Sequence, residues 1–398
     1  MMYIPRHIEN IIKRSNKTFK IVFLGGPRQV GKTTVFKELA KKMNMGYVTL
    51  DDLNQRQLAK SDPKIFLQQL TTPAIIDEVQ YAPELFPQIK KIVDESDKNG
   101  QFWLTGSQQF SLIKNIQESL AGRVAILNIL GLSRNEKMRK SINDKSFDKP
   151  KINSLFEEIF EGGFPVFQFR EAPNRDIYFN SYIQTYLDRD LSGIFGINKT
   201  SEFNRFLQIC AARTGQILNI SDLARDSGIS PVTATEWINI LENTMQVYLL
   251  QPYYPNITKR IIKAPKLYFL DTGLASYLTR WSSPENLQAG SMAGAMYETF
   301  IIGEVIKNYI FDGKVPPIFY LRDKEGHEVD LVVEDKDLHL FEIKLSANVK
   351  QDNHQNLNYY ATKSKRFISK NIISLIDKPL LTSDGIKYIP YTQLQSVL

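Results

Sequence analysis

The chain has 398 residues, 42% of them hydrophobic, with 50 Lys and Arg against 43 Asp and Glu and a formal net charge of +7. That length predicts two or three domains. The single cysteine, Cys210, excludes an internal disulfide framework, and the scattered histidines His7, His327, His339 and His354 offer no zinc cluster.

No apolar run is long enough to span a bilayer, and the N-terminus lacks a continuous secretory segment. The chain therefore reads as cytoplasmic, without a membrane span. Its positive charge permits a nucleic-acid partner without requiring one.

Residues 4–15 read as a short helix. The apolar run Ile21–Leu24 reads as a buried strand, and Gly26-Pro27-Arg28-Gln29-Val30-Gly31-Lys32-Thr33 follows it. Thr34 opens a helix with Val35, Leu39 and Met43 on one stripe. Strand, glycine loop and helix in this order make a phosphate-binding loop. Its backbone N–H groups face phosphate oxygens, and the helix N-terminus adds a favourable field. Lys32 is expected to reach the outer phosphates and Thr33 to hold magnesium. Nothing in the loop distinguishes one nucleobase from another.

Residues 47–50 are the next strand, and 55–70 a polar helical stretch broken by Pro63. The strand Ala74-Ile75-Ile76 then ends in Asp77-Glu78, at the strand end where ligands of open α/β sheets collect. Asp77 is expected at the magnesium, with Glu78 polarising the attacking water. The strand from Phe102 ends in Leu104-Thr105-Gly106-Ser107. Of the two hydroxyls, Ser107 is the preferred contact to the lytic water or terminal phosphate. Residues 124–130 are a fifth strand. Arg123, just before it, is a candidate transition-state cation, within its own chain or across to a neighbour in a homo-oligomer; a structural ion pair is the alternative.

Residues 134–151 carry seven Lys or Arg against three Asp or Glu. They read as a basic linker, either solvated or touching nucleic-acid phosphates. A helix from Tyr178 to Leu191 follows. Residues 200–262 suggest a winged helix: a first helix Phe203–Ala212, a second capped by Ser221, and a third begun by Ser230-Pro231. Strands 247–250 and 257–262 complete it. The third helix, residues 231–245, holds Glu236 and Glu242 but no Lys or Arg. That disfavours base reading, although Lys259, Arg260 and Lys263 supply a basic wing. A packing role is the alternative.

The last domain is expected to open with a strand at 267–270. A long helix from 293 to 309 carries Glu298. Further strands follow at 318–321, 328–333 and 338–344. Asp330 and, twelve residues on, Glu342-Ile343-Lys344 match the pattern of a metal-dependent nuclease core. Asp330 and Glu342, with Glu298 as a further ligand, would bind Mg2+ or Mn2+, and Lys344 would position water or offset charge. Edge-strand carboxylates with a solvated lysine are the bland alternative.

The phosphate loop, Asp77-Glu78-Val79-Gln80, Leu104-Thr105-Gly106-Ser107 and Leu120-Ala121-Gly122-Arg123 resemble a family of AAA-type ATPases with a C-terminal DUF4143 domain. So do Arg189-Asp190-Leu191, the run Leu267-Tyr268-Phe269-Leu270-Asp271-Thr272-Gly273-Leu274, Glu328-Val329-Asp330 and Glu342-Ile343-Lys344. The resemblance covers nearly the whole chain. It implies an α/β chain with an ASCE-class P-loop ATPase domain (1–133), a basic linker and helical segment (134–199) and a winged-helix connector (200–264). It also implies a C-terminal α/β domain (265–398) related to PD-(D/E)xK restriction endonucleases. ATP, rather than another nucleotide, follows from the resemblance, as do the roles of Lys32, Thr33, Asp77 and Glu78 within it. Val329, where a proline often precedes the acid, departs from the nuclease pattern.

Three functions are compatible with this reading. One is a Mg-dependent ATPase coupled to a nucleic-acid-associated domain that can be a nuclease. Another is an ATP-operated switch or assembly factor with a non-catalytic domain that binds a protein partner. The third is a nucleotide-regulated winged-helix DNA-binding protein.

Overall fold

The computed structural model describes residues 3–396 apart from 42, 107–115, 117, 143, 145–147, 187–199 and 255–262. They form two compact units. One comprises residues 1–141, 243–245 and 309–315; the other comprises 142–242, 246–308 and 316–398.

The first unit is built on a five-stranded parallel sheet. In chain order it contains α1 (Glu9–Thr18), β1 (Ile21–Gly25), α2 (Lys32–Ala40), β2 (Gly46–Thr49), α3 (Leu53–Ser61), α4 (Pro63–Gln68) and β3 (Ala74–Asp77). Then follow α5 (Leu85–Asp94), β4 (Phe102–Thr105), β5 (Val124–Asn128) and a helical turn α6 (Arg134–Lys137). The strand order is β2-β3-β4-β1-β5. Helices cover both faces, so β1, β3 and β4 are buried throughout and read as unbroken apolar runs. Phe23, Ile76, Phe102 and Leu104 join Phe86 and Ile89 in one core, and Trp103 packs on Phe36 with ring centroids 4.7 Å apart.

The differences from the expected elements have local causes. Pro5 and the acceptance of the Arg6 N–H by Glu9 Oε1 at 2.8 Å delay α1 to Glu9. The expected long helix divides at Asp62, which caps α4 with Pro63 in the first helical position. The basic linker does not start at residue 134. Ser133 and Glu136 form a capping box, and Ser133, Arg134, Asn135 and Glu136 are buried as part of the first unit.

The second unit begins with α7 (Ile152–Glu161), α8 (Arg175–Tyr186) and α9 (Thr200–Ala212). Next come β6 (Gln216–Ile217), α10 (Ile220–Ser227), α11 (Pro231–Asn243), β7 (Val247–Leu250) and β8 (Lys266–Phe269). Asn219, not Ser221, caps α10, accepting the Asp222 N–H at 3.1 Å. Ser230 begins α11 as expected, accepting the Thr233 N–H at 3.1 Å. The second wing strand, the Lys259–Arg260 pair and the Arg189-Asp190-Leu191 run lie outside the described residues.

The run at 267–270 does not open the C-terminal sheet. As β8 it pairs antiparallel with both β6 and β7 in a separate three-stranded sheet. After it come α12 (Thr272–Leu278), α13 (Pro284–Ala289) and the long helix α14 (Ala293–Phe311).

The C-terminal sheet comprises β9 (Ile318–Arg322), β10 (Glu328–Glu334), β11 (Leu338–Ile343), β12 (Phe367–Ser374), β13 (Leu380–Leu381) and β14 (Ile386–Pro390), with α15 (Gln355–Ala361) between β11 and β12. Its order is β13-β14-β12-β11-β10-β9. Strands β9–β11 form an antiparallel meander, while β11, β12 and β14 run parallel. The two sheets of this unit are stitched together. The Tyr253 N–H donates to Tyr320 O at 2.7 Å and the Tyr320 N–H to Gln251 O at 3.1 Å.

Asp271 shows what the Leu270-Asp271-Thr272-Gly273 run does locally. Its carboxylate accepts the Leu274 N–H at 2.8 Å, capping α12, and the Gly163 N–H at 2.7 Å. Replacing Asp271 with Ala strands both donors and is expected to cost about 2–3 kcal/mol. The cost reads as a lowered urea midpoint with unchanged slope.

Candidate functional site

The phosphate loop joins β1 to α2. Gly26 adopts φ +147°, and a Cβ there would lie 2.1 Å from Ile129 O. Gly31, at φ +94°, is the left-handed N-cap of α2. Lys32, buried in the loop, donates from Nζ to Gly26 O at 3.0 Å and Pro27 O at 2.7 Å. Arg28, Gln29 and Val30 form the intervening arch, and Thr33 and Thr34 enter the first helical turn.

Strand β4 lies between β1 and β3, so Thr105 stands beside Asp77. Asp77 is 5% exposed and accepts three hydroxyls. Thr33 Oγ1 donates to Oδ1 at 2.7 Å, Tyr47 OH donates to Oδ2 at 3.0 Å, and Thr105 Oγ1 also donates to Oδ1. The same Thr105 hydroxyl accepts the Glu78 N–H at 3.3 Å. Burial, and then the charge of Asp77, pushes the Tyr47 phenol up to about 12. Glu78 takes left-handed backbone angles, φ 58° and ψ 44°, and its carboxylate accepts from Gln80 Nε2. Lys32, Thr33, Asp77 and Glu78 thus surround the end of one sheet. Ser107 lies outside the described residues, and Thr105 makes the contacts to Asp77 and Glu78.

Arg123 is elsewhere. Val124 pairs with Ile21 at the start of β1, so Arg123 lies at the edge opposite the phosphate loop. A five-residue strand separates the two edges by about 16 Å. Its guanidinium instead grips Asp94, with Nη2 to Oδ2 at 2.9 Å. The cis transition-state role is therefore corrected to a structural ion pair within the chain. Strand polarity carried the signal, because a residue preceding a parallel strand cannot share the edge of a loop that follows one.

In the second unit, Glu298 on α14, Asp330 on β10, and Glu342 and Lys344 from β11 and its end converge. Lys344 Nζ lies 2.6 Å from Glu342 Oε2 and 3.6 Å from Asp330 Oδ2. Asp330 Oδ2 also accepts the Ile343 N–H at 2.8 Å. Glu342 is 1% exposed, and its Oε1 has no hydrogen-bond partner. Burial, and then Asp330, raises the Glu342 carboxyl. Burial alone would lower the Lys344 ammonium, but Asp330 and Glu342 outweigh it and raise it.

Sequence reasoning missed Lys266. Its buried ammonium lies 3.2 Å from Glu298 Oε1 and 2.6 Å from Glu328 Oε1, and Tyr268 OH donates to Glu298 Oε1 at 2.5 Å. A buried lysine on a short apolar strand was the available signal. Burial, and then Asp330, raises the Glu298 carboxyl.

A second cluster in this domain also escaped notice. Asp323, Glu325 and His327 hold potential metal-ligand atoms within 4.8 Å of one another at the β9–β10 turn. His327 is therefore not isolated; its Nδ1 is 3.1 Å from Asp323 Oδ2. The D-x-E-x-H spacing was the signal.

A family model described as an AAA domain matches residues 18–138, and one described as a domain of unknown function, DUF4143, matches 293–394. The chain joins an N-terminal AAA-type P-loop ATPase domain to a C-terminal DUF4143 domain. The ATPase domain is ATP-hydrolysing. A further domain of unknown function, DUF8612, matches 152–285 and spans both the helical segment and the three-stranded sheet. Uncharacterized proteins of Mycobacterium tuberculosis and Mycobacterium bovis are each 29% identical over 325 residues, covering 81% of this chain and 69% of theirs.

Among solved structures, the Walker-type ATPase of Pyrococcus abyssi has a TM-score of 0.44 at 14% identity, covering 68% of this chain and 94% of that one. The RuvB Holliday junction branch migration motor of Thermotoga maritima has a TM-score of 0.29 at 16% identity, covering 61% and 88% respectively. Among the described residues, no helix is long and apolar enough to cross a membrane.

Because Arg123 is remote from its own phosphate loop, Arg123→Ala is expected to leave ADP affinity within about twofold of wild type, as surface changes away from a site do. Titration of dilute protein with a fluorescent ADP analogue measures this.

Proposed function

We propose that the ATPase domain holds Mg-ATP between the phosphate loop and Asp77, and that the DUF4143 domain uses Asp330 and Glu342 to bind a second divalent metal for phosphodiester cleavage. At the first site the donor set fits magnesium: a hydroxyl and a carboxylate 2.7 Å apart are hard oxygen ligands. The metal would neutralise phosphate charge. Lys32 would exchange its two loop carbonyls for outer phosphate oxygens. Glu78 would accept the proton of water attacking the terminal phosphate, while Thr105 keeps Asp77 and the Glu78 peptide in register. If Arg123 contributes a transition-state cation, it does so for a neighbouring subunit, after leaving Asp94.

The observation that carries the second site is the partnerless buried oxygen of Glu342, next to Asp330. A buried carboxylate oxygen without a donor is costly; a proton meets that need when no metal is bound, and a divalent cation would take its place. Lys344 would then offset charge developing on a phosphate. Glu298, already engaged by Lys266 and Tyr268, supports the pocket from behind.

We read α9–α11 with β6–β8 as a winged helix that packs rather than reads bases. The exposed positions Val232, Thr235, Glu236, Asn239 and Glu242 of α11 include no cation. Arg213 and Arg225 nearby are paired with Asp226 and Asp222. DNA contact would fall to the wing and the basic stretch. One observation favours an ATP-operated switch instead: Lys344 already bridges Asp330 and Glu342.

Glu78→Gln is expected to retain ATP binding while slowing turnover about 100-fold or more, the scale of a lost general base. A rate equal to wild type in a steady-state phosphate-release assay would remove Glu78 from the mechanism.

Calorimetric titration with Mn2+ should show a site in the C-terminal domain that Asp330→Ala and Glu342→Ala each abolish without affecting ATP hydrolysis. Because the raised Glu342 carboxyl holds a proton the metal must displace, affinity should rise with pH, by at most about tenfold per unit, until that proton is lost. Manganese binding unchanged in both variants would leave the switch reading in its place.

A further inference from the structure

A buried arginine outside the nucleotide motifs grips the phosphate loop from behind. Arg6 precedes α1 and is 5% exposed. Its Nη1 donates to Val30 O at 2.8 Å, its Nη2 to Leu130 O at 2.8 Å, and its Nε to Glu136 Oε1 at 3.0 Å. Glu136 is in turn fixed by the His7 N–H at 2.7 Å and the Ser133 N–H at 2.8 Å. One guanidinium therefore joins the loop, the exit of β5 and the capping box of α6.

The Val30 carbonyl belongs to the peptide whose N–H is that of Gly31. In a planar trans peptide the C=O and N–H point in opposite directions. Holding the Val30 oxygen toward Arg6 therefore aims the Gly31 N–H away from Arg6. Gly31 is the N-cap of α2, where backbone donors face an anion. Its left-handed backbone leaves this peptide free to rotate unless something holds it.

Stability alone does not account for the pair. A well-packed apolar pair of the same volume often serves stability as well as a buried ion pair does. An apolar pair could not hold a carbonyl. The planar fork of arginine reaches three acceptors at fixed angles, which the single ammonium of lysine cannot do.

We infer that Arg6, braced by Glu136, is a positioning residue for nucleotide binding at the ATPase site: it orients the Val30–Gly31 peptide so that the Gly31 N–H meets the nucleotide phosphates. Arg6 does not touch the nucleotide, and acts through the peptide it holds.

Two variants separate this role from a purely structural one. Arg6→Lys keeps a positive charge beside Glu136 but loses the fork. Glu136→Gln keeps an acceptor for Arg6 Nε and leaves the bond to Val30 in place. Both should lower the melting temperature. Only Arg6→Lys should weaken binding of a fluorescent ADP analogue, by about tenfold, the loss of one oriented donor to a charged group. A matching GDP analogue should weaken by the same factor, because the affected donor faces phosphate.

Arg6→Lys should also raise KM for ATP with kcat changed less than about threefold, the pattern of lost uniform binding. Wild-type ADP affinity in Arg6→Lys overturns the assignment. So does an affinity loss of equal size in Glu136→Gln. If Arg6→Lys does not fold, Arg6→Gln, with one amide donor in place of the fork, is read against the same two outcomes.

Discussion

Asp77 collects hydroxyls from three different elements, and the nucleotide end of the first unit depends on that convergence. A carboxylate this buried must be met by donors, or ionising it becomes prohibitive. Thr33 arrives from α2, Tyr47 from β2 and Thr105 from β4. The strand order that inserts β4 between β1 and β3 makes the arrangement possible. Thr105 then passes the constraint on, because its oxygen also takes the Glu78 N–H where the chain leaves the sheet in a left-handed turn. The Asp77 carboxylate and the Glu78 backbone are thus tied together through one hydroxyl.

The C-terminal domain handles charge differently. Among the ion pairs of the described residues, Glu298, Glu328, Asp330 and Glu342 face Lys266, Lys344 and, on Glu328 alone, Arg322. Burial raises the Glu298 and Glu342 carboxyls, which favours their neutral forms and eases the imbalance.

What was readable in the sequence was what neighbours decide. The apolar strands, the glycine loop, the cap at Ser230 and the break at Pro63 all depend on residues within a few positions. The acids Asp330 and Glu342 were also visible, because a hairpin brings positions twelve apart together. Partners fixed by tertiary folding were not visible. Arg6 and Glu136 are 130 positions apart, and their pairing needs the whole sheet between them. Lys266 belongs to a strand that looked like the start of one sheet and hydrogen-bonds in another, because short apolar runs do not announce their neighbours. The strands after residue 344 carry weaker alternation and were not anticipated.

Lys266 has a consequence for how such a chain can be inherited. It lies on β8, within the DUF8612 match, while its carboxylates Glu298 and Glu328 lie within the DUF4143 match. The β9 backbone likewise exchanges two hydrogen bonds with the segment after β7, accepting one and donating one. Exchanging either segment alone would bury an ammonium without its counterions and unpair a strand edge. The two matches mark separate stretches of sequence, but the ion pairs and the shared strand edge bind them into one structural unit.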